Sequence, residues 1–330
     1  MFVTQLITRD LLAHEVPHKE QGNGCLAYDP LVNPTYGYQP NLPAGIIFSV
    51  IFGLIFIAHT GQFIFKRKWW YATFAIGAVG ELVGWAGRAA AHDCPYNSKL
   101  FSLQISILII SPCFTSAGIY YILAQLIEHW RNQGHTHYSP IGPKLYLYTF
   151  IGFDLLSIII QGVGGGLASS AGEEEEDTST GTHIMLAGII IQLVSMSVFC
   201  ALFVWTIFRA RAHFSSGSRV VYDNTTGATT NDNLSGSRLT LFIGVTTLST
   251  VCIVVRNIYR CIELAQGWDG YLITHEIYFC LLDGMLMALA LLAFNITHPA
   301  WFVDPKYTLP AADVEAKRPS DSSGEMMMEQ

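Results

Sequence analysis

The chain has 330 residues, of which 51% are hydrophobic and only 13% are charged. Soluble domains carry about a quarter charged residues, so this composition excludes an ordinary soluble domain and predicts a protein whose solvent is largely lipid. The formal net charge of -7 comes partly from one acidic run, Glu173 to Asp177, and it does not indicate a nucleic-acid partner.

The first 40 residues contain several charged side chains and no continuous apolar core, so they do not resemble a cleaved signal peptide. We interpret residues 1–40 as an extracellular tail, which leaves membrane insertion to the first transmembrane helix. Cys25 in this tail and Cys94 after the second predicted helix fall on the same outer face. A disulfide between them is possible there, and the sequence leaves open whether it forms.

Apolar blocks of about twenty residues follow, which is the length that crosses a bilayer core as an α-helix. They predict an all-α, polytopic membrane helix bundle with seven transmembrane helices. The predicted spans are residues 42–65, 69–91, 100–127, 145–168, 182–207, 238–262 and 273–296. In this scheme residues 41–301 form the membrane domain, and residues 302–330 form a disordered cytoplasmic tail.

Basic residues are concentrated in alternate connections between these spans. Twelve of the 18 follow the first, third, fifth and seventh spans, and only three lie in the other connections. Because basic flanks are retained in the cytoplasm, this asymmetry predicts an outside amino terminus and a cytoplasmic carboxy terminus. The sequons at Asn224 and Asn233 then face the cytoplasm and Asn295 ends a helix, so none is expected to carry a glycan.

Several predicted spans contain ionisable or amide side chains, which cost about 3 kcal/mol each when charged in lipid and should therefore face protein or water. They are Glu81, Arg88, Asp154, Gln161, Arg256, Arg260, Glu263, Glu276 and Asp283. The topology places Glu81, Asp154 and Asp283 nearest the midplane, as an acidic group without an obvious basic counterpart. A cationic head group or a transferable proton would supply the missing charge. The alternative is that these carboxylates only hold helices together. Arg260 and Glu263, three residues apart on one helix, are interpreted as a structural pair.

Small residues and one proline indicate how the helices pack. Pro112 in the third span cannot bond the carbonyl of Leu108, which predicts a kink. Glycines 162–166 are expected to end the fourth span. The second span carries a glycine face that predicts close helix packing, formed by Gly77, Gly80, Gly84 and Gly87.

Recognisable catalytic arrangements are missing from the sequence. The seven cysteines form no C-x-x-C pair, and no H-E-x-x-H or Ser-His-Asp pattern is legible. The glycines near residue 164 lack the Lys-Ser/Thr of a Walker motif, which argues against ATP-driven pumping by this chain alone. We therefore predict a protein that is not an enzyme and that has no catalytic residue, no metal site and no cofactor.

Seven short stretches give the chain a more specific signature through their order. They are YGYQP at 36–40, GELVGWAGR at 80–88, QISILIISPCFTSAGIYY at 104–121, FDLLSIIIQGVGGG at 153–166, RNIYRCIELAQGWDG at 256–270, HEIYFCLLDGMLM at 275–287 and HP at 298–299. In this order they resemble the fungal lipid-translocating exporter family, the seven-helix group associated with resistance to sphingoid bases and aminocholesterol. The resemblance covers residues 36–301.

The resemblance implies a multi-pass plasma-membrane protein of fungi that moves or releases amphiphiles such as sphingoid long-chain bases or toxic sterol amines. Some relatives are instead linked to porphyrin uptake. The implied partners are membrane lipids and an amphiphilic substrate. Matching motifs and the cost of burial together give a hypothetical substrate-binding set of Glu81, Arg88, Gln104, Asp154, Gln161, Arg256, Glu276 and Asp283.

Two other functions compete with transport. A seven-helix membrane receptor or lipid/stress sensor would use the same topology, and Ser320, Ser322 and Ser323 would offer phosphorylation sites in its tail. An intramembrane lipid hydrolase would need a metal or a nucleophile that the sequence does not reveal.

Overall fold

A computed structural model describes residues 25, 28–29, 34, 36–67, 69–132, 142–173, 177–215, 233–267 and 270–297. A 3₁₀ turn, Trp69–Tyr71, precedes the second long helix, and a helical turn, Tyr271–Thr274, precedes the last. No strand occurs among these residues. The long helices are α1 (Leu42–Lys66), α2 (Ala72–Ala90), α3 (Ser98–Asn132), α4 (Pro143–Glu173), α5 (Ser179–Ser215), α6 (Asn233–Ala265) and α7 (Glu276–Ile296).

Six of the described helices are long and apolar enough to cross a membrane. They are α1 and α3 to α7, so the prediction of an all-helical multi-pass membrane protein is confirmed. Helix α2 coincides with the predicted second span but is not among the six. Residues 1–24, residues 216–232 with the sequon at Asn224, and the tail 302–330 lie outside the described residues.

The ends of two helices differ from the prediction. Helix α5 continues to Ser215, beyond the predicted end at residue 207. Helix α4 runs through the glycines to Glu173, so the prediction that these glycines end the helix was wrong. The physical reason lies in Gly164, where a Cβ atom would collide with the backbone of Gly181 and Met185 on α5. The glycine permits close packing there and does not end the helix.

Helix α3 is the central helix of the bundle. In its membrane-spanning window 72% of the residues are buried, against 22% for α1 and 28% for α4. It packs against α2, α4 and α6, while α7 packs against both α6 and α1 and so closes a ring around it. Polar side chains on the inner faces of this ring are therefore removed from lipid.

The sides of the helices that face away from the bundle interior are apolar. Phe65 of α1 is 86% exposed and Phe208 of α5 is 69% exposed. Large apolar side chains on this scale are stable only against lipid, because water would hydrate them at high cost. Other examples on α1 and α4 are Ile46, Ile47, Val50, Leu54, Ile57, Leu145, Leu155 and Ile159.

Glycine permits α2 to lie directly against α3, as predicted. A Cβ atom at Gly77 would be 2.5 Å from Thr115 Oγ1, and Cβ atoms at Gly80 and Gly84 would overlap the side chains facing them. Such contact excludes larger residues from this face. The close approach brings Glu81, on the same helix, to the interior of the bundle, where it is fully buried.

The segment before α1, residues 36–41, packs across the end of the bundle that the sequence predicts to face outside, and it is called here the outer strap. Gln39 Nε2 donates to the His92 carbonyl over 3.2 Å, and His92 Nδ1 lies 2.8 Å from the Pro40 carbonyl oxygen. A disulfide joins Cys25 to Cys94, between the ends of α2 and α3. The last residues of the predicted tail are thus part of the folded bundle.

The two kinds of glycine on α4 give a test of the packing. We expect Gly164→Ala to destabilise the protein by about 1–3 kcal/mol, because the new Cβ meets backbone that cannot rotate away. Gly162→Ala is the matched control, since no atom lies within 4 Å of its added Cβ, and it should be neutral or stabilising by up to about 1 kcal/mol. Thermal unfolding of both variants in detergent measures the difference, and equal shifts would contradict the α4–α5 contact.

Candidate functional site

Five buried ionisable side chains meet between α2, α6 and α7, and we call them the charge cluster. Asp283 Oδ1 lies 2.8 Å from Arg256 Nε and 2.7 Å from Arg260 Nε. Arg260 Nη1 also lies 3.0 Å from Glu263 Oε2, and Arg256 Nη2 lies 3.7 Å from Glu81 Oε1. Each of the five is at most 5% exposed. Two arginines thus face three carboxylates in a medium of low polarity.

Pro112 contributes to this cluster through the carbonyl that it leaves without a helical donor. In an α-helix the amide of residue 112 would bond the carbonyl of Leu108, but proline has no N–H. In the structure Arg256 Nη2 donates to the Leu108 carbonyl oxygen. One guanidinium therefore contacts α2, α3 and α7, and it satisfies a carbonyl that would otherwise be buried without a donor.

The expectation of a midplane acidic group without basic counterparts was wrong for Glu81 and Asp283. The sequence topology assigned Arg256 and Arg260 to the outer half of the membrane, yet their long side chains reach Asp283. A π-helical segment, Phe279–Met285, contains Asp283 and shifts the side-chain register of α7 at this level. The predicted structural pair, Arg260 and Glu263, is in contact and also belongs to this cluster.

A second charged group, the outer cluster, lies beneath the outer strap. Arg88 Nη2 is 2.9 Å from Glu276 Oε1 and donates to the hydroxyl of Tyr38. Its guanidinium carbon lies 4.4 Å from the centroid of the Phe279 ring and 5.6 Å from that of Tyr36. Three aromatic rings and one carboxylate thus enclose a single cation, an arrangement that stabilises it electrostatically.

The tyrosines of the outer strap act as neutral hydrogen-bonding groups. Burial raises the pKa of both Tyr36 and Tyr38, against the opposing effect of nearby Arg88. Tyr36 Oη donates to Gln104 Oε1 on α3 over 2.8 Å. The backbone amide of Asn41 donates to Glu276 Oε1 and Oε2 over 3.0 and 3.1 Å. The strap is therefore joined to α2, α3 and α7 by polar contacts.

Asp154 is separate from both clusters. Its side chain on α4 is 4% exposed, and neither carboxylate oxygen has a hydrogen-bond partner among the described residues. Tyr120 and Cys113 of α3 interact with it electrostatically, and the Tyr120 hydroxyl is near enough to turn its O–H toward the carboxylate. The Tyr120 hydroxyl is, however, hydrogen-bonded to Met196 Sδ on α5 over 3.3 Å. Asp154 takes part in no ion pair within the described part of the chain.

A polar ladder links α4 to α5 further along the same side. Gln161 Nε2 donates to Ser157 Oγ over 2.7 Å and to Gln192 Oε1 over 3.0 Å. Ser157 Oγ donates to the Gly188 carbonyl over 2.8 Å, and Gln192 Nε2 donates to Cys113 Sγ over 3.2 Å. Gln161 Oε1 remains without a donor. This acceptor and Asp154 are both available to a ligand with several N–H or O–H groups.

The structure distributes the eight predicted binding residues over five places. Glu81, Arg256 and Asp283 lie in the charge cluster, and Arg88 and Glu276 lie in the outer cluster. Gln104 contacts the strap, Gln161 belongs to the ladder, and Asp154 stands apart.

Sequence reasoning missed several residues that complete these places. Gln192 could have been found from the sequence, because it is an amide side chain inside the fifth apolar block. Tyr36 and Tyr38 belong to the YGYQP stretch, but nothing local shows that they cover Arg88. Two buried donors, Trp85 Nε1 and Asn257 Nδ2, lack a hydrogen-bond acceptor in the described bundle. Only the three-dimensional structure shows that these donors are unpaired.

No group of three or more His, Cys, Asp and Glu side chains among the described residues has the arrangement of a metal site. The predictions of no metal, no cofactor and no catalysis stay predictions.

Comparisons with known proteins agree with the architecture. Residues 74–306 match the family described as RTA1 like protein. The chain is 34% identical over 289 residues to the sphingoid long-chain base transporter RSB1 of Saccharomyces cerevisiae (strain JAY291), covering 82% of this chain and 75% of the relative. It is 28% identical over 227 residues to Protoporphyrin uptake protein 1 of Saccharomyces cerevisiae (strain ATCC 204508 / S288c), covering 68% and 67%. No solved structure matches.

The contact between Arg256 and the Leu108 carbonyl can be tested with a double-mutant cycle. Arg256→Lys keeps the charge but loses the planar fork that reaches three helices, so we expect a marked loss of thermal stability. Pro112→Ala restores an amide that can bond the Leu108 carbonyl within α3. The cost of Arg256→Lys should therefore be lower by about 1 kcal/mol or more in the Pro112→Ala background. Strictly additive effects on thermal unfolding would contradict the link.

Proposed function

The chain belongs to the RTA1-like protein family, and we propose that it is a membrane transporter for lipid-like amphiphiles. Its substrates in this proposal are sphingoid long-chain bases or sterol amines, moved across or out of the plasma membrane without ATP hydrolysis by this chain. The observation that carries the proposal is the buried carboxylate of Asp154, which no cation among the described residues compensates.

The head group of a long-chain base complements this environment. It presents a primary ammonium, with a positive charge and three donors, next to hydroxyl groups. The ammonium would pair with Asp154, and a hydroxyl would donate to Gln161 Oε1, which lies seven residues further along α4. That spacing places both residues on one face of the helix with their Cα atoms about 10 Å apart along its axis. The side chain of Gln161 shortens this gap, because it reaches back toward Asp154 to contact Ser157 Oγ. Glu81 and Asp283 are less suited, because arginines already face them.

The position of α4 suits a substrate that enters from the bilayer. Phe153 and Leu155, on either side of Asp154 in the sequence, are 45% and 57% exposed and face lipid. A head group would therefore cross only the width of one helix to reach the carboxylate. The hydrocarbon tail would remain in the lipid against the apolar face of α4, because moving it from lipid into the protein would gain no hydrophobic free energy.

We also propose that α2 is a seventh transmembrane span. It has 19 residues, and at 1.5 Å per residue it is about 28 Å long, close to the thickness of the hydrocarbon core. Its glycines, Glu81 and Arg88 lower its hydropathy, but both charged side chains are buried against protein and would not meet lipid. Residues 41–301 then form the membrane domain.

The disulfide supports an outside amino terminus. Disulfides persist in oxidising compartments, and Cys25–Cys94 joins the amino-terminal segment to the connection between α2 and α3. The basic residues Lys66 and Arg67 lie at the opposite end of α1, as the positive-inside rule requires for a cytoplasmic face. Residues 302–330 would be a cytoplasmic tail in this orientation.

Transport can be measured directly in proteoliposomes containing purified protein and a labelled long-chain base. We expect the wild type to accelerate transbilayer movement and Asp154→Asn to reduce its rate at least tenfold, because a neutral amide does not attract the ammonium. Asp93→Asn is the matched control, since it makes the same chemical change at an exposed turn and should leave the rate unchanged.

Substrate class is tested by the same assay. An N-acylated long-chain base has no charge at the nitrogen and should not be moved, whereas a sterol amine should compete. Acceleration of protoporphyrin alone would contradict a cationic head group while retaining transport. If no amphiphile moves faster with protein than without it, the transport proposal fails and the receptor hypothesis gains support.

The orientation is tested by reduction of intact cells. A charged phosphine reductant does not cross membranes, so it should release Cys25 and Cys94 from outside, and two additional thiols should react with maleimide after denaturation. Cys94→Ser provides the control, because it leaves Cys25 reactive without reductant. Release of the thiols only after permeabilisation would show that the amino terminus is inside.

A further inference from the structure

Asp154 differs from the other buried acids of the bundle in its electrostatic neighbours. Glu81, Glu263 and Asp283 each lie within 4.0 Å of an arginine nitrogen. No ion pair between described residues includes Asp154, and both of its oxygens are buried without a hydrogen bond. An ionised carboxylate in such a place loses its hydration and gains no compensating charge, which makes the neutral acid the favoured form.

The groups that face Asp154 from the helices around it are uncharged. On α3 these are the Tyr120 hydroxyl and the Cys113 thiol, and on α5 Met196 and Cys200 lie around Tyr120. On α4 itself the neighbouring polar groups are Ser157 and Gln161. Arg256 interacts with Cys113, but its guanidinium is held by Asp283 and the Leu108 carbonyl. No compensating cation reaches Asp154 from these helices.

From this geometry we infer that the protein exchanges protons for cationic amphiphiles at Asp154, so that a proton gradient drives transport. The inference rests on the proposed function, because it assumes that an ammonium head group binds at this carboxylate. The empty site holds a proton on Asp154, and the loaded site holds the ammonium against an ionised Asp154. The two cations exclude one another because a single negative charge is available to both.

The exchange balances without oxidation or reduction. When the ammonium enters, the O–H bond of Asp154 breaks, its proton passes to water on the side from which the amphiphile came, and an ion pair forms. When the amphiphile leaves on the other side, the carboxylate takes a proton from water there. One positive charge moves in each direction, and a more acidic exterior drives the amphiphile outward.

Proton release can be measured without transport. The probe is a trimethylated long-chain base, whose quaternary nitrogen carries a fixed charge and has no proton to release. Calorimetric titration of detergent-solubilised protein in two buffers of different ionisation enthalpy counts the protons. We expect about one proton released per bound probe for the wild type near neutral pH. Asp93→Asn should match the wild type.

Three variants assign the proton. Asp154→Asn should bind the probe weakly and release none, while Asp154→Glu should retain release because it keeps a carboxyl group. Glu81→Gln should also retain release. Loss of release in Glu81→Gln together with its retention in Asp154→Asn would overturn the assignment to Asp154. Probe binding to the wild type without proton release would overturn the exchange and leave the transport proposal intact.

Coupling itself is tested in proteoliposomes with the membrane potential clamped by potassium and valinomycin. An imposed pH gradient should accelerate protein-dependent movement of a labelled trimethylated base, which cannot cross as a neutral amine, toward the acidic side, and reversing the gradient should reverse the direction of net movement. Rapid protein-dependent movement whose rate and direction do not change with the pH gradient or its reversal would overturn proton exchange. Absence of any protein-dependent movement would instead count against the proposed function.

Discussion

The structure depends on the need to compensate charge inside a medium that cannot hydrate it. Arg256 meets this need for three helices at once, because its guanidinium contacts the Leu108 carbonyl of α3, Asp283 of α7 and Glu81 of α2. Breaking a buried pair by removing one partner leaves an uncompensated charge, which typically costs about 3–5 kcal/mol. A proline within the central helix is tolerated for the same reason, since the arginine replaces the donor that proline lacks.

Small residues make this arrangement geometrically possible. Gly77, Gly80 and Gly84 let α2 lie against α3, and that contact brings Glu81 within reach of Arg256 on α6. On the opposite side, Gly164 and Gly188 let α4 and α5 approach closely enough for the amides of the polar ladder to meet. Apolar packing between helices gains little in lipid, so close van der Waals contact and buried hydrogen bonds are the main stabilising interactions.

The buried acids divide into two kinds by this criterion. Glu81, Glu263 and Asp283 lie beside arginines, whereas Asp154 has no arginine partner among the described residues and is the carboxylate to which we assign substrate and proton in our proposals. In the outer cluster, the protein compensates the positive charge of its own Arg88 near one end of the bundle. There, a carboxylate and aromatic rings enclose Arg88, and the outer strap covers it. Membership of the RTA1-like family and similarity to a long-chain base transporter support the proposed transport of a lipid-like amphiphile.

The sequence by itself determined the helical membrane fold, the position of the long helices and the small-residue face of α2. These follow from local properties, because the length and apolarity of a segment and the absence of large side chains do not depend on its neighbours. It also identified the buried carboxylates and arginines within the spans. Only the tertiary structure decided which charges compensate one another, because pairing depends on helix rotation and on the reach of long side chains. The depth that the sequence predicts for each residue in the membrane therefore gave Asp283 no counterpart, although two arginines contact it. Only the folded bundle distinguishes Asp283 from Asp154.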